Sequence, residues 1–99
     1  MGQTELGVDQ FDDLYRRELI SIATLATALT GDRDTGTDIA QEALLRAYRS
    51  WSMVSTMDRP GAWVRRVAIN LATDARRKRS REARALERIE ARPLGSMSG

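Results

Sequence analysis

Residues 60–79 read PGAWVRRVAINLATDARRKR, and their spacing predicts one long basic helix. On a helical wheel this stretch has an apolar side and a polar side. The apolar side carries Val64, Val67, Ala68, Leu71 and Ala75, and the polar side carries Arg66, Asn70, Thr73 and Arg77. Pro60 suits the first turn, because its φ is already helical and its missing N–H would be unpaired there. At about 1.5 Å per residue the stretch spans roughly 30 Å, which is enough to follow a polynucleotide backbone.

A first amphipathic helix is predicted upstream, from about Asp9 to Leu29, because apolar residues recur there every three or four positions. Asp9 can cap its start. Glu18 falls on the apolar stripe, where a charge is costly unless it is paired, so we expect an arginine partner from another helix. Residues 1–8 show no periodicity and are expected to form a flexible N-terminus.

A second helix is predicted over residues 38–51, after a turn that contains Gly31 and a polar stretch. Its outer face is polar except for Leu45. Leu45 is either a harmless exposed side chain or a docking point with a charged rim. The connection to the basic helix, SMVSTMDR over residues 52–59, has no clear period and is therefore either loose or functional.

After Lys78 the helix propensity stays high while the apolar stripe thins, so residues 82–92 either extend the basic helix or form a fourth one. Pro93 ends any helix, and the last residues are expected to be flexible. No strand pattern is present. The prediction is an all-α bundle of three to four helices over residues 9–81, with a helical extension and a flexible linker or tail over residues 82–99.

Charge is unevenly distributed along the chain. Residues 1–58 carry ten acidic and five basic side chains, whereas residues 59–99 carry four acidic and eleven basic ones. Such polarity is typical of a domain that offers a polyanion one surface and a protein another, although solvated helix faces would give the same counts.

Several classes of function are disfavoured by composition. The chain has no Cys or His, which excludes disulfides, thiolate zinc sites and His-based catalytic triads. Asp12 with Asp13, or Asp38 with Glu42, could form an Mg²⁺ site, but helix capping and the helix dipole already explain acids near helix starts. We expect no enzyme activity, no cofactor and no metal. No apolar run is long enough to span a membrane, and no secretory signal is present, so we expect a cytoplasmic protein.

Four segments in order resemble region 2 of bacterial extracytoplasmic-function (group IV) sigma factors. They are FDDLYRREL, LTGDRD, DIAQEALLRAYRSW, and RPGAWVRRVAIN followed by DARRKR. The resemblance covers about residues 10–80. It implies a domain that binds the clamp helices of the RNA polymerase β′ subunit and helps to recognise and melt the promoter minus-ten element, with an anti-sigma factor as a possible further partner.

The resemblance also implies roles for particular positions. The second helix matches the family's polymerase-contact helix, which would give Leu45 a partner. The connection over residues 52–59 matches a loop that captures a flipped base of the non-template strand. The implied polymerase contacts are Asp38, Gln41, Glu42, Leu45, Arg46 and Arg49. The implied contacts to single-stranded promoter DNA are Arg59, Trp63, Arg66, Asn70, Arg76, Arg77, Lys78 and Arg79.

The residues themselves leave alternatives open. Trp63 could stack on an exposed base or pack into the core. Asn70 could read a base edge or be merely solvated. A competing hypothesis is a small helical protein-interaction domain whose basic face binds an acidic protein, such as an anti-sigma factor, without a DNA role. Nothing after Arg81 has room for the family's second DNA-reading domain, so the chain alone is not expected to initiate transcription at a normal promoter.

Overall fold

The computed structural model describes residues 2–91, with side chains from residue 7 onward. Within these residues the chain forms four helices, which are α1 (Gly2–Thr30), α2 (Arg33–Arg49), α3 (Trp51–Val54) and α4 (Pro60–Glu90). No strand occurs in this range. The predicted all-α class with three to four helices is confirmed, and the long basic helix is α4, the third of the long helices.

The helices α1 and α2 run antiparallel, and α4 lies beside both of them. Gly31 turns the chain after α1 with a positive φ of 75°, a conformation that glycine adopts without steric cost. Phe11 near the start of α1 meets Tyr48 near the end of α2, with ring centroids 5.2 Å apart. Along α4, Arg65 contacts Glu18 of α1 and Arg79 contacts Thr30 of α1, so α4 runs parallel to α1.

Gly36 allows α1 and α2 to approach closely. A Cβ at this position would lie 2.6 Å from the backbone nitrogen of Thr27 and 2.8 Å from its Cα, and real Cβ atoms essentially never come that close. The polar stretch before Asp38 is therefore part of α2 and not a loop. Glycine is required there by packing and not by a turn.

The core consists mainly of small and medium aliphatic side chains. Its fully buried members are Leu14, Ile22, Ala26, Ala40, Ala43, Leu44, Ala47, Val54, Val64, Ala68 and Ala72. Alanine at many contact positions brings the helix axes together and leaves little volume for relaxation after a substitution. The predicted apolar side of α4 is confirmed, with Val64 and Ala68 at its centre.

Two predicted helix starts were wrong. The first helix begins at Gly2 and not near Asp9, so the expected flexible N-terminus is helical from residue 2. The segment contains no proline, and Gln3, Glu5 and Leu6 favour a helix despite the two glycines. A Cβ on Gly7 would lie 3.8 Å from the Trp51 indole, an ordinary van der Waals distance, so this part of α1 lies against α3. The second helix begins at Arg33 and not at Asp38, because Asp32 caps it by accepting a hydrogen bond from the Thr35 N–H.

The connection before α4 is more ordered than its sequence indicated. Residues Trp51–Val54 form one helical turn, and the last of them, Val54, is fully buried in the core. Beyond it, α4 continues without a break to Glu90, so the segment after Arg81 extends the basic helix. The last turns of α4 project past the end of the bundle, where nearly every side chain is exposed. The tail predicted for residues 93–99 lies outside the described residues.

Candidate nucleic-acid interface

The outward side of α4 carries a row of polar and basic side chains that faces away from the core. Arg66, Asn70 and Arg77 are exposed on this row, and Thr73 is half-buried. Their spacing of three or four residues places them one above another along the helix. Arg66 and Arg77 form no ion pair with another described residue. The row therefore offers unpaired cations and one amide to a ligand.

Trp63 lies at the edge of this row and not at its centre. Its side chain is half-buried and packs against the core. Packing into the core therefore buries part of the Trp63 side chain, and the rest of it is exposed. An indole held by packing on one side keeps the other accessible without losing much rotamer freedom.

Arg79 has a different environment from the other predicted DNA contacts. Its Nη1 donates to the carbonyl oxygen of Thr30 at 3.0 Å, and its Nη2 lies 3.7 Å from the Asp32 carboxylate. Thr30 ends α1 and Asp32 caps α2, so Arg79 ties the tip of the α1–α2 hairpin to α4. Arg79 is exposed, as are its neighbours Arg76, Arg77 and Lys78, but its two contacts direct its guanidinium towards the hairpin tip and away from the outward row.

The outward row continues beyond the predicted site. Arg81, Arg84 and Arg88 follow Arg77 at intervals of four, three and four residues, and all three are exposed. These arginines were missed as candidate contacts, because the prediction stopped at the resemblance's end near residue 80. The regular spacing in the sequence was the signal that could have found them. With them, the basic row runs from Arg66 to Arg88, about 33 Å at 1.5 Å per residue.

The outer face of α2 forms a second, separate surface. Asp38, Gln41, Arg46 and Arg49 are exposed, and Leu45 keeps 40% of its surface exposed among them. The remaining predicted contact on this face, Glu42, accepts a hydrogen bond from the Nε of Arg46 at 3.2 Å. The structure brings all six predicted polymerase-contact residues onto this one face, which lies opposite the buried stripe of α2.

The connection between α3 and α4 borders a small cavity. Residues 55–59 are tied to the preceding turn by hydrogen bonds from the N–H groups of Thr56 and Met57. Beside them lies a cavity of about 210 Å³. It is lined by Gln10, Leu14, Arg17, Trp51, Ser55 and Pro60. The buried indole Nε1 of Trp51 has no hydrogen-bond acceptor among the described residues. The connection is thus an anchored loop next to a partly polar recess.

One buried charge, on α1, contacts the core-facing side of α4 behind the outward row. Glu18 is only 8% exposed, and its Oε2 accepts a hydrogen bond from the Arg65 Nη1 at 2.9 Å. The expected arginine partner from another helix is confirmed. The pairing joins the middle of α1 to the second turn of α4, directly behind Arg66.

Among the described residues, the Asp32 carboxyl has a pKa that departs clearly from its ordinary value. A hydrogen bond from the Thr35 hydroxyl is the largest cause that lowers the pKa of Asp32 below 3.8, and the Thr35 N–H, the Asp34 N–H and Arg79 lower it further. Burial opposes this shift. Asp32 is therefore a charged cap at the tip of the hairpin that Arg79 holds.

Among the described residues, no group of three or more potential metal ligands comes together. No helix in this part of the chain is long and apolar enough to cross a membrane.

Comparison with protein families gives a match to sigma-70 region 2 over residues 14–82, which is more than half of the chain. Neither curated proteins nor solved structures gave a match. The matched range runs from the buried Leu14 through the α2 face to Glu82, where α4 has begun to project past the bundle. The chain therefore belongs to the sigma-70 region 2 family, a transcription-initiation domain that works with core RNA polymerase and promoter DNA and is not an enzyme.

Proposed function

We propose that this domain is the region 2 of an extracytoplasmic-function sigma factor. In this proposal the outer face of α2 binds the clamp helices of the polymerase β′ subunit. The outward row of α4, together with the loop over residues 55–59, binds the separated non-template strand of the minus-ten element. The domain would act in the cytoplasm, where polymerase and promoter meet.

The observation that carries the proposal is the presence of two exposed faces of different chemistry on one rigid core. The face on α2 has an exposed leucine within a mixed-charge rim, as protein interfaces often have an apolar centre and a polar edge. The row on α4 has unpaired arginines at helical spacing, as phosphate-binding surfaces have. Each face lies opposite its own helix's buried stripe, so both faces are exposed in the same fold.

Strand recognition would divide into affinity and selection. Exposed arginines such as Arg66 and Arg77 would supply sequence-independent attraction to phosphates. Asn70 can present a donor and an acceptor to a base edge. The recess beside the loop is bordered by Gln10, Arg17 and Ser55, which offer polar groups to an unstacked base. Selection would therefore come from the start of α4 and affinity from its whole length.

Binding to a β′ clamp-helix fragment tests the α2 face independently of DNA. Leu45→Asp should weaken this binding about tenfold or more, because a charge would replace the apolar centre of the interface. Leu86→Asp is the matched control, since Leu86 is 54% exposed on the projecting end of α4, far from α2. The dissociation constants can be compared by fluorescence anisotropy with a labelled fragment.

Wild-type protein and the Leu86 variant should bind the fragment equally well. Failure of the wild type to bind would contradict the proposed docking. Equal weakening by both substitutions would also contradict it, because the effect would then not depend on the α2 face.

A further inference from the structure

Glu18 is a buried charge whose burial the packing of the bundle alone does not explain. It lies on the core side of α1, where its neighbours Leu14 and Ile22 are fully buried. Its carboxylate is held by Arg65 at 2.9 Å, and Arg17 lies 3.7 Å from the other oxygen. An apolar residue of similar size at such a position is often as stable as an ion pair, so stability does not by itself account for a glutamate here.

The start of α4 lacks a negative group of its own. Its N-cap residue, Arg59, makes no capping hydrogen bond with its side chain, and no acidic residue occurs in the first turn. The first N–H groups of a helix have no partner within the helix, and the helix dipole makes this end positive. A carboxylate from elsewhere in the fold would therefore be favourable at this position.

Glu18 supplies that carboxylate across the bundle. A Cβ on Gly61 would lie 2.5 Å from the Glu18 Oε1 and 3.0 Å from its Cδ, so the carboxylate rests directly against the first turn of α4. Gly61 is fully enclosed and leaves the space that the carboxylate fills. Gly61 and Arg65 are four residues apart on one side of α4, so Glu18 contacts two successive turns of the same helix.

We propose that Glu18 is the positioning residue for the loop and the first turns of α4, and that it thereby orients the side chains that face the DNA strand. Trp63 and Arg66 project from the same turns in other directions, so any rotation of α4 about its axis moves them. With side chains the helix has a radius of about 5–6 Å, so a rotation of roughly 20° displaces a side chain by about 2 Å. Such a displacement exceeds the tolerance of a hydrogen bond to a base.

The inference rests on the proposed function for its DNA consequence, but the positioning itself can be measured without DNA. Glu18→Gln keeps the size of the side chain and one hydrogen-bond acceptor for Arg65 while removing the charge. Asp12→Asn is the matched control. It removes a carboxylate from the same helix, in a pair with Arg16 at 3.0 Å that lies at the surface.

Two readouts are compared at a temperature at which circular dichroism shows each variant fully folded. The first is the ratio of affinities for a minus-ten single strand and a scrambled strand. Glu18→Gln should reduce this ratio about five- to tenfold, as the loss of a well-placed base contact does, while the affinity for the scrambled strand changes little. The second is the set of NMR resonances of the Trp63 indole and of the amides over residues 56–58, which should shift in Glu18→Gln and stay unchanged in Asp12→Asn.

Gly61→Ala provides a second route to the same change, because its methyl group enters the carboxylate's space while the charge remains. It should lower the strand ratio as Glu18→Gln does, and the double variant should lose less than the sum of the two effects. Unchanged loop resonances and an unchanged strand ratio in Glu18→Gln, even with a lower Tm, would overturn the positioning role. If wild-type protein did not distinguish the two strands, the proposed function would fail, and the loop resonances would still decide the role of Glu18.

Discussion

The two halves of α4 differ both in composition and in surroundings. Residues 60–75 carry two basic side chains and a full apolar stripe, whereas residues 76–90 carry seven basic side chains and few apolar ones. In the half that starts at Pro60, one side of the helix is buried against α1 and α2, and Arg65 is drawn into a pair with a buried glutamate. In the half that ends at Glu90, almost every side chain is exposed, and even the apolar Leu86 and Ile89 are 54% and 69% exposed.

The comparison of the halves shows that the role of an arginine on α4 depends on whether another helix lies close enough to accept its hydrogen bonds. Arg65 and Arg79 are used to hold the fold together, while Arg77 and Arg84 remain available to a ligand. A count of basic residues along α4 does not separate these roles. The following substitutions test the separation, from the largest expected effect to the smallest.

Val64→Ala against Ile89→Ala compares the apolar residues of the two halves. Val64 is fully buried, so its truncation should lower the free energy of unfolding by roughly 2 kcal/mol through lost burial and a residual cavity. Ile89→Ala should change it by less than about 0.5 kcal/mol. Urea denaturation measures both. A comparable loss in the two variants would mean that the end of α4 packs against something in solution.

The pair Arg79→Ala and Arg84→Ala compares an arginine that donates a hydrogen bond to α1 with one that has no partner among the described residues. Arg79→Ala leaves the Thr30 carbonyl without its donor and should lower the free energy of unfolding by about 1 kcal/mol. Arg84→Ala should leave stability unchanged and weaken DNA binding instead. Thermal unfolding and oligonucleotide titration on the same preparations separate the two effects. A loss of DNA affinity without a loss of stability in Arg79→Ala would contradict the structural role of Arg79.

Arg76→Ala and Arg77→Ala against Asn70→Ala tests affinity against selection within the proposed strand interface. Each arginine that contacts a phosphate contributes about 0.7 to the slope of log affinity against log salt for a single strand. We expect a shallower slope for the arginine variants and weaker binding to all sequences. Asn70→Ala should keep the slope and lose preference for the minus-ten strand. An equal loss of preference in all three variants would contradict this division.

Asp32→Asn tests the hairpin tip that Arg79 holds, and its effect should be the smallest. The pKa of Asp32 is lowered in the folded state, so its charge stabilises the fold above the ordinary value of 3.8, and this contribution is lost as the pH falls through the lowered pKa. Asparagine caps a helix about as well, so the variant removes mainly the charge. The Tm difference between wild type and variant should shrink between pH 7 and pH values below 3.8. A constant difference would show that the charge has no part in it.

The sides of α4 could be predicted from the sequence because burial in a helix follows its 3.6-residue period. The same period correctly predicted that Arg66 and Asn70 lie on the exposed side. It also indicated that Glu18 needs an arginine, because a charge on an apolar stripe requires compensation. It could not identify Arg65, since a contact over 47 residues depends on the relative height of two helices.

Two features could not be predicted from local patterns, because they depend on tertiary packing. The predicted start at Asp38 leaves Gly36 in the preceding polar stretch, whereas Gly36 belongs to α2 and its small size allows the close approach of Thr27. Arg79 falls on the core-facing side of the α4 wheel, and its partner became evident only once the α1–α2 turn was located beside it. Local propensity does not report which part of another helix lies opposite.

The most direct test of the central claim is a titration of the wild-type domain with two labelled single strands of equal length, a minus-ten non-template strand and a scrambled one, at two salt concentrations. The account predicts binding of both strands that weakens with salt, and tighter binding of the minus-ten strand at each concentration. Equal affinity for the two strands would contradict strand selection. Absence of binding at low salt would contradict the DNA role of α4 and leave its basic row to an acidic protein partner.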